Sequence, residues 1–210
     1  MKLRTKLCAL TFDDGPELEL TGRVLNKLDQ YQVVATFFLV GSKVTKETEP
    51  VLKKMIAMGC EVGNHSWDYQ SLVTLQVDEI KSKYVKTQDV ITHLLGVEPK
   101  FFRPPNLETN QIMFDVIPLP FIGGIVCYDW IGCGTSAQER ALTVLSEIED
   151  GAIILLHDVQ PEPHPSAETL DILIPNLKMQ GYEFVTISDL FARNGIDPTS
   201  NKGCLWKIVR

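Results

Sequence analysis

Short apolar runs alternate along this chain with longer stretches whose apolar residues recur at helical spacing. The runs predict seven β-strands, at residues 7–12, 36–40, 61–64, 101–103, 123–128, 152–156 and 183–186. The stretches between them predict six helices, several followed by the glycine that commonly ends a helix, at residues 21–31, 49–58, 77–95, 137–148, 167–180 and 187–193. Such alternation is typical of βα units around a mainly parallel sheet. We therefore predict a single α/β domain, a distorted (β/α) barrel with about seven strands instead of the usual eight.

Two segments fall outside this alternation. Residues 107–120 are rich in proline and polar side chains, which predicts an irregular loop with at most one short helix. From residue 195 the pattern fades, so we divide the chain into a domain at 1–194 and a C-terminal tail at 195–210. The tail either packs on the domain or leads towards a further one.

Composition narrows the function. Among 210 residues, 27 are acidic and 20 are basic, and the net charge of −7 argues against nucleic acid and favours a neutral or cationic substrate. No run approaches the ~18 apolar residues of a membrane span, and the N-terminus is typical of a strand and not of a signal peptide. The five cysteines are odd in number and lie mostly in apolar stretches, which favours buried thiols. Cys127 and Cys133 are the one close pair, and their state stays open.

The segment TFDDGP carries the strongest chemical signal. Asp13 and Asp14 end the first apolar run immediately before a Gly-Pro turn. A chain that leaves a strand into such a turn can bring adjacent carboxylates into one crevice, where they suit a metal ligand beside a proton acceptor. The alternative is a polar turn in which an aspartate caps the next helix.

Other titratable side chains also follow predicted strands. In parallel α/β barrels, reactive residues lie at the carboxyl ends of the strands. Besides the two aspartates, the residues at these ends are His65, Arg103, Asp129, Trp130, His157 and Asp158. Their joint placement predicts one catalytic site. Two further histidines are weaker candidates, because His93 lies in a helical run and His164 lies between prolines in a loop.

Asp14 and His65 are the start of a metal site. Carboxylate and neutral imidazole are natural ligands of a borderline divalent ion such as zinc. The sequence after His65 places no second histidine one turn later. Water, or Asp68, would therefore have to complete the coordination.

Five segments in order resemble the motifs of the NodB-like polysaccharide deacetylases, carbohydrate esterase family four. They are TFDDGP, NHSWDY, Arg103-Pro104-Pro105, Asp129-Trp130 and LLHD at 155–158. The resemblance extends over residues 5–192. In addition, RPPNLET and LLHDVQPEPHP resemble the acetylxylan esterase branch found in clostridial plant-wall-degrading enzymes.

The resemblance implies a role for each motif residue. Asp13 would be the general base, Arg103 would orient it, and His157 would be the general acid supported by Asp129. Asp14 and His65 would be metal ligands. The substrate contacts would come from Trp130 and Leu155 as walls of the acetyl pocket, from the backbone N–H of Asn106 as an oxyanion donor, and from Tyr69.

Tyr69 stands where the family usually has its third metal ligand, a histidine four residues after His65. A phenol ionises only near pH ~10, so tyrosine is a poor ligand for a divalent ion near neutral pH. We therefore expect an open, water-rich metal site. The implied cofactor is one divalent ion, cobalt or zinc before nickel or magnesium.

The resemblance also implies a substrate and a setting. The expected reaction is hydrolysis of O-acetyl groups on xylan or xylo-oligosaccharides, with N-deacetylation of chitin-type or peptidoglycan N-acetylglucosamine as the alternative. The family setting is extracellular, and further modules of a plant-wall-degrading enzyme are expected partners. Nucleic acid and membranes are not.

Three other functional classes fit the sequence less well. A Ser-His-Asp hydrolase would need a Gly-x-Ser-x-Gly elbow, and the sequence contains none. A phosphatase would need a cationic or backbone phosphate cradle, but the sequence contains no glycine-rich phosphate loop, and His157 would have no role. A non-catalytic carbohydrate-binding domain would explain the lost histidine ligand, but it has no use for both an acid and a base.

Overall fold

Six strands form one sheet in the computed structural model of the chain, which describes residues 5–159 and 166–210, without the side chains of residues 132 and 133. The strands are β1 (Lys6–Asp13), β2 (Thr36–Leu39), β3 (Glu61–Asn64), β4 (Ile125–Val126), β5 (Ala152–His157) and β6 (Tyr182–Phe184). The helices are α1 (Leu20–Tyr31), α2 (Glu49–Ala57), α3 (Val77–Leu95), α4 (Gln111–Val116), α5 (Ala137–Glu147), α6 (Ser166–Met179) and α7 (Ile187–Asn194). The predicted α/β fold is confirmed, and α4 is the short helix expected in the proline-rich loop.

The sheet is parallel and centres on β1. The strand order is β3-β2-β1-β5-β4, and β6 pairs with the first residues of β1. Apolar residues of β1 are buried on both faces, because helices cover one side and the barrel interior fills the other. The register places Asp13 opposite both His157 and Phe38. The carboxyl ends of β1 and β5 therefore bring two motif residues side by side.

The strand predicted at 101–103 is wrong in extent. The segment contributes only two isolated parallel bridges, from Phe102 to Asn64 and to Phe121. Proline follows at 104 and 105, and because proline cannot donate to a ladder, pairing stops there. The strand predicted at 123–128 likewise shortens to β4, because the backbone turns into the left-handed region at Tyr128, where φ is 60°.

The C-terminal tail packs on the domain. Trp206 forms a parallel bridge to Ile122, and Ile208 forms an antiparallel bridge to Ala152. Val209 is fully buried, and its carbonyl oxygen would lie only 2.1 Å from a Cβ added at Gly151, whose φ is +85°. Glycine at 151 therefore permits the backbone of the tail to close against the sheet.

Cys8, Cys60 and Cys127 are buried free thiols, as predicted, and Cys204 is a partly exposed one. Burial raises the pKa of the Cys60 thiol to about 11 and raises the pKa of Cys8 and Cys127 further. His164 and the side chain of Cys133 lie outside the described residues. None of the described helices is long and apolar enough to cross a membrane.

Candidate active site

The Asp13 carboxylate ends β1 and is held by a buried arginine. Arg103 Nη1 donates to Asp13 Oδ1 at 2.7 Å and to Thr11 Oγ1 at 2.8 Å. The other guanidinium nitrogens donate to the backbone carbonyls of Ile122 and Gly123. Because the guanidinium is fully buried and anchored on fixed acceptors, it places a permanent positive charge beside Asp13.

Asp14 leaves the strand through a backbone turn. Its φ of 77° lies in the left-handed region, which aspartate tolerates better than most residues. The turn brings both carboxylates towards one imidazole: Asp14 Oδ1 lies 3.6 Å and Asp13 Oδ2 lies 3.8 Å from His65 Nε2. Neither aspartate caps α1, whose N-cap is Glu19, so the alternative of a simple capping turn is wrong.

His65 is buried directly after β3, and its tautomer is fixed by the backbone. Its Nδ1–H donates to the carbonyl oxygen of Arg103 at 2.8 Å. A carbonyl can only accept, so Nδ1 carries a proton and Nε2 faces the two aspartates. Burial alone would lower the pKa of His65, but the charges of Asp13 and Asp14 and the hydrogen bond to Asp14 raise it. Burial alone would raise the pKa of Asp14, but the hydrogen bond and charge of His65, with the charge of His157, lower it.

Asp14 and His65 fit a divalent metal ion. An imidazole nitrogen oriented by a backbone carbonyl and a carboxylate 3.6 Å away form an N/O donor pair for zinc or cobalt. Across residues 5–159 and 166–210 there is no cluster of three or more His, Cys, Asp or Glu side chains placed for a metal. The described part of the chain therefore offers two ligands, and water would supply the others.

Tyr69 and Asp68 do not extend this ligand set. Tyr69 is half exposed at the cleft, and its hydroxyl donates to the backbone oxygen of Asp14 at 3.3 Å. Burial and the nearby carboxylates raise the pKa of Tyr69, which keeps the phenol neutral. Asp68 lies elsewhere, because its carboxylate pairs with Lys83 and accepts the backbone N–H of Gln70. The structure does not bring Asp68 to the cleft.

His157 and Asp129 form the opposite side of the site. His157 Nδ1–H donates to Asp129 Oδ1 at 2.8 Å, and the backbone N–H of His157 donates to Asp129 Oδ2 at 2.7 Å. Burial alone would lower the pKa of His157, but the charge and hydrogen bond of Asp129, with the charges of Asp13 and Asp14, raise it to about 9. The imidazole is therefore protonated at neutral pH.

A cleft of about 350 Å³ joins the two sides. Its lining residues are Asp13, Asp14, His65, Tyr69, Pro104, Pro105, Asn106, Leu107, Trp130, Leu155 and His157. Leu155 is buried in β5, whereas the ring of Trp130 is half exposed and meets His157 edge to face at 5.9 Å. The backbone N–H of Asn106, at a φ of 59°, has no hydrogen-bond partner among the described residues. All predicted site residues except Asp68 thus line the cleft or support a residue that does.

Two supporting contacts had no place in the sequence prediction. Lys43 Nζ donates to the backbone oxygen of Asp14 at 2.9 Å, and nothing in its polar turn distinguishes it from a surface lysine. Asp158 is buried, accepts the Thr21 hydroxyl at 2.5 Å and would collide with a Cβ added at Gly15. Burial raises the pKa of Asp158 to about 7. The Asp-Asp-Gly turn is therefore packed from beneath as well as from the cleft.

The sequence and fold of this chain are similar to those of known carbohydrate deacetylases and esterases. The family described as polysaccharide deacetylase matches residues 1–117. A family 4 acetyl xylan esterase from Clostridium thermocellum, solved with a cobalt ion, is 49% identical, with a TM-score of 0.94 over 97% of this chain and 99% of that chain. The bifunctional xylanase/deacetylase of Pseudobutyrivibrio xylanivorans is 42% identical over 205 residues, which cover 98% of this chain and 33% of the relative.

A relative of different specificity also matches. The peptidoglycan-N-acetylglucosamine deacetylase PgdA of Listeria monocytogenes is 37% identical over 187 residues, which cover 89% of this chain and 39% of the relative. The chain thus spans 33% and 39% of the lengths of these two curated relatives. On this family match and these identities, the chain belongs to the polysaccharide deacetylases, the NodB-like carbohydrate esterases of family four, as its five motifs predicted.

Proposed function

We propose that this chain hydrolyses O-acetyl groups on xylan and releases acetate. The observation that carries the proposal is the pair of oppositely charged groups across one cleft. Asp13, a carboxylate beside a permanent cation, lies opposite His157, an imidazolium beside a permanent anion. Hydrolysis of an ester needs both a proton acceptor for water and a proton donor for the leaving oxygen.

The residues divide the reaction between them. Asp13 accepts a proton from the attacking water, whose oxygen bonds to the acetyl carbon. The backbone N–H of Asn106 donates to the oxyanion that develops on the carbonyl. His157 gives its proton to the sugar oxygen as the carbon–oxygen bond breaks, so that acetate and a free hydroxyl leave. Asp14 and His65 would hold a divalent ion, which supplies Lewis-acid polarisation of the carbonyl and a lowered pKa of water.

Ester specificity is supported by the relatives with the higher identities. The Clostridium protein is described as an acetyl xylan esterase, and its structure was solved with cobalt. The structure of the Xyl-CE4 domain of a multidomain xylanase, from a termite hindgut metagenome, is 39% identical with a TM-score of 0.93. We therefore propose cobalt or zinc as the ion and acetylated xylan as the substrate.

Cleavage of N-acetylglucosamine amides is the second candidate. It is favoured by the 37% identity to PgdA, described as a peptidoglycan-N-acetylglucosamine deacetylase. The same acid, base and metal ligands would serve an amide, so the reaction centre does not separate the two substrates. Secretion and attachment to further modules stay predictions, in keeping with the larger size of the curated relatives.

The decisive test is acetate release by metal-stripped protein before and after addition of cobalt or zinc. Acetylated xylan and N-acetylated chito-oligosaccharides are compared at equal acetyl concentration, with Asp13→Asn protein as the matched control. We expect release from xylan that depends on the added ion and is lost in the control. Faster release from the amide would replace the esterase proposal with the deacetylase. Undiminished release by the stripped protein would contradict the role of Asp14 and His65.

A further inference from the structure

The exposed aromatic rings of this chain are confined to the active-site region. Among the described residues, the aromatic side chains that expose more than a third of their surface are Tyr69, Tyr128 and Trp130. Tyr69 and Trp130 line the cleft. Tyr128 does not, but its ring lies 5.4 Å from that of Trp130, at an angle of 56°. The aromatic surface of the cleft therefore continues one ring beyond its edge.

The backbone does not favour a tyrosine at position 128. Its φ of 60° is in the left-handed region, which is strained for a bulky residue and easy for glycine or asparagine. The turn itself is needed, because Cys127 before it is buried and Asp129 after it must reach both N–H groups of His157. These neighbours explain why the backbone turns at position 128, but they do not explain why the residue there is a tyrosine.

Packing does not fully explain the ring either. Tyr128 leaves 46% of its surface in water, and Trp130 leaves 45%. Ile131, the next residue, is 57% exposed, so three exposed apolar side chains form a step in this turn, and Trp130 in it meets the ring of His157 edge to face. A strained backbone that presents an aromatic face to solvent next to a catalytic group is a feature of binding surfaces.

We propose that Tyr128 forms a sugar-binding subsite that stacks on the pyranose next to the acetylated one. The inference rests on the proposed function, since it extends the same cleft along the polysaccharide. A neutral, ring-shaped ligand suits this step, because it offers aromatic faces and no charged side chain of its own. Trp130 would then contact the acetylated sugar and Tyr128 its neighbour, so that long substrates gain a contact that short ones lack.

The test measures how activity depends on substrate length. The kcat/KM for an acetylated xylo-oligosaccharide is divided by the kcat/KM for a small aryl acetate, for the unsubstituted protein and for Tyr128→Ala. An aromatic contact of this kind corresponds to a change of about three- to tenfold. We expect the ratio to fall by about that factor, mainly through KM for the oligosaccharide. Tyr128→Phe, which keeps the ring, should keep the ratio.

Two further measurements separate binding from structure. Tyr128→Gly removes the ring but relieves the left-handed backbone, so it should lower the ratio as much as Tyr128→Ala without loss of thermal stability. Calorimetric titration with unacetylated xylohexaose should show a similar loss of binding affinity in the Tyr128 variants. This measurement tests the subsite even if no acetate is released from xylan. A ratio and a calorimetric affinity within twofold of the unsubstituted protein would overturn the subsite. Failure to cleave any acetyl ester would instead overturn the proposed function.

Discussion

Two buried ion pairs face each other across the cleft, and they are built with opposite polarity. In one pair the fully buried partner is Arg103, and the carboxylate of Asp13 meets the cleft. In the other the fully buried partner is Asp129, and the imidazole of His157 meets the cleft. Arg103 holds Asp13 through a hydrogen bond, and Asp129 raises the pKa of the His157 imidazole. The same arrangement of a buried charge behind a cleft-facing one therefore supports both the proposed base and the proposed acid.

The pairs also differ in what anchors them. Arg103 donates to four acceptors: the side chains of Thr11 and Asp13 on β1, and the backbone carbonyls of Ile122 and Gly123 on a distant segment. Asp129 accepts two hydrogen bonds from one residue, His157, through its ring Nδ1–H and its backbone N–H. Loss of Arg103 should consequently damage the fold, whereas loss of the Asp129 charge should mainly retune the acid. The predictions below test this difference.

The largest effect is expected from Arg103→Met. The substitution leaves the Asp13 carboxylate and several backbone carbonyls buried without their donor. Removing one partner of a buried pair costs about 3–5 kcal/mol. Urea denaturation followed by circular dichroism should show a loss of that size in the free energy of unfolding. A loss below about 1 kcal/mol would mean that the guanidinium does not support the barrel.

Asp13→Asn and His157→Ala should each lower kcat by at least ~100-fold, because each removes one proton-transfer group. Asparagine at 13 keeps an oxygen acceptor for Arg103, and the His157 side chain lies at the cleft, so the unfolding free energy should change less than in Arg103→Met. The measurement is steady-state hydrolysis of an acetyl ester, with melting temperature as the control for folding. Near-normal turnover in either variant would remove that residue from the mechanism.

Asp129→Asn should shift the pH profile more than it lowers the maximal rate. In the proposed reaction His157 is the acid, so activity should be present while the ring is protonated and should be lost as the pH rises through its pKa of about 9. Removing the Asp129 charge lowers that pKa, and the alkaline limb of kcat/KM should move down by at least about one unit. An unmoved limb would show that another group titrates there.

The smallest effect is expected from Asp68→Asn. The carboxylate pairs with Lys83 outside the cleft, so we expect acetyl-ester turnover and the affinity for added cobalt to stay within about twofold. Isothermal titration with cobalt measures the affinity. A tenfold loss of cobalt affinity would indicate that Asp68 is a metal ligand.

The pattern of apolar residues predicted most of the helices and strands, because each of these elements forms from a continuous stretch of sequence. The helices follow from apolar spacing, and the site residues follow from their place at strand ends. The segment around Phe102 was overestimated, because whether an extended run becomes a strand depends on distant partners and here on the prolines beside it. The contacts of Lys43 and Asp158 were invisible for the same reason: each reaches a residue far away in the sequence.

The packed C-terminal segment limits where this domain can be truncated or fused to another protein. Truncation after residue 194, where the helical periodicity fades, would remove Trp206 and Val209 from the hydrophobic core. Ile122 and Phe191, which pack in the same cluster, would then be exposed to solvent. Expression of such a shortened version should give aggregated material, while a cut just after residue 209 should not. Any linker grafted onto this end ought to start beyond that valine.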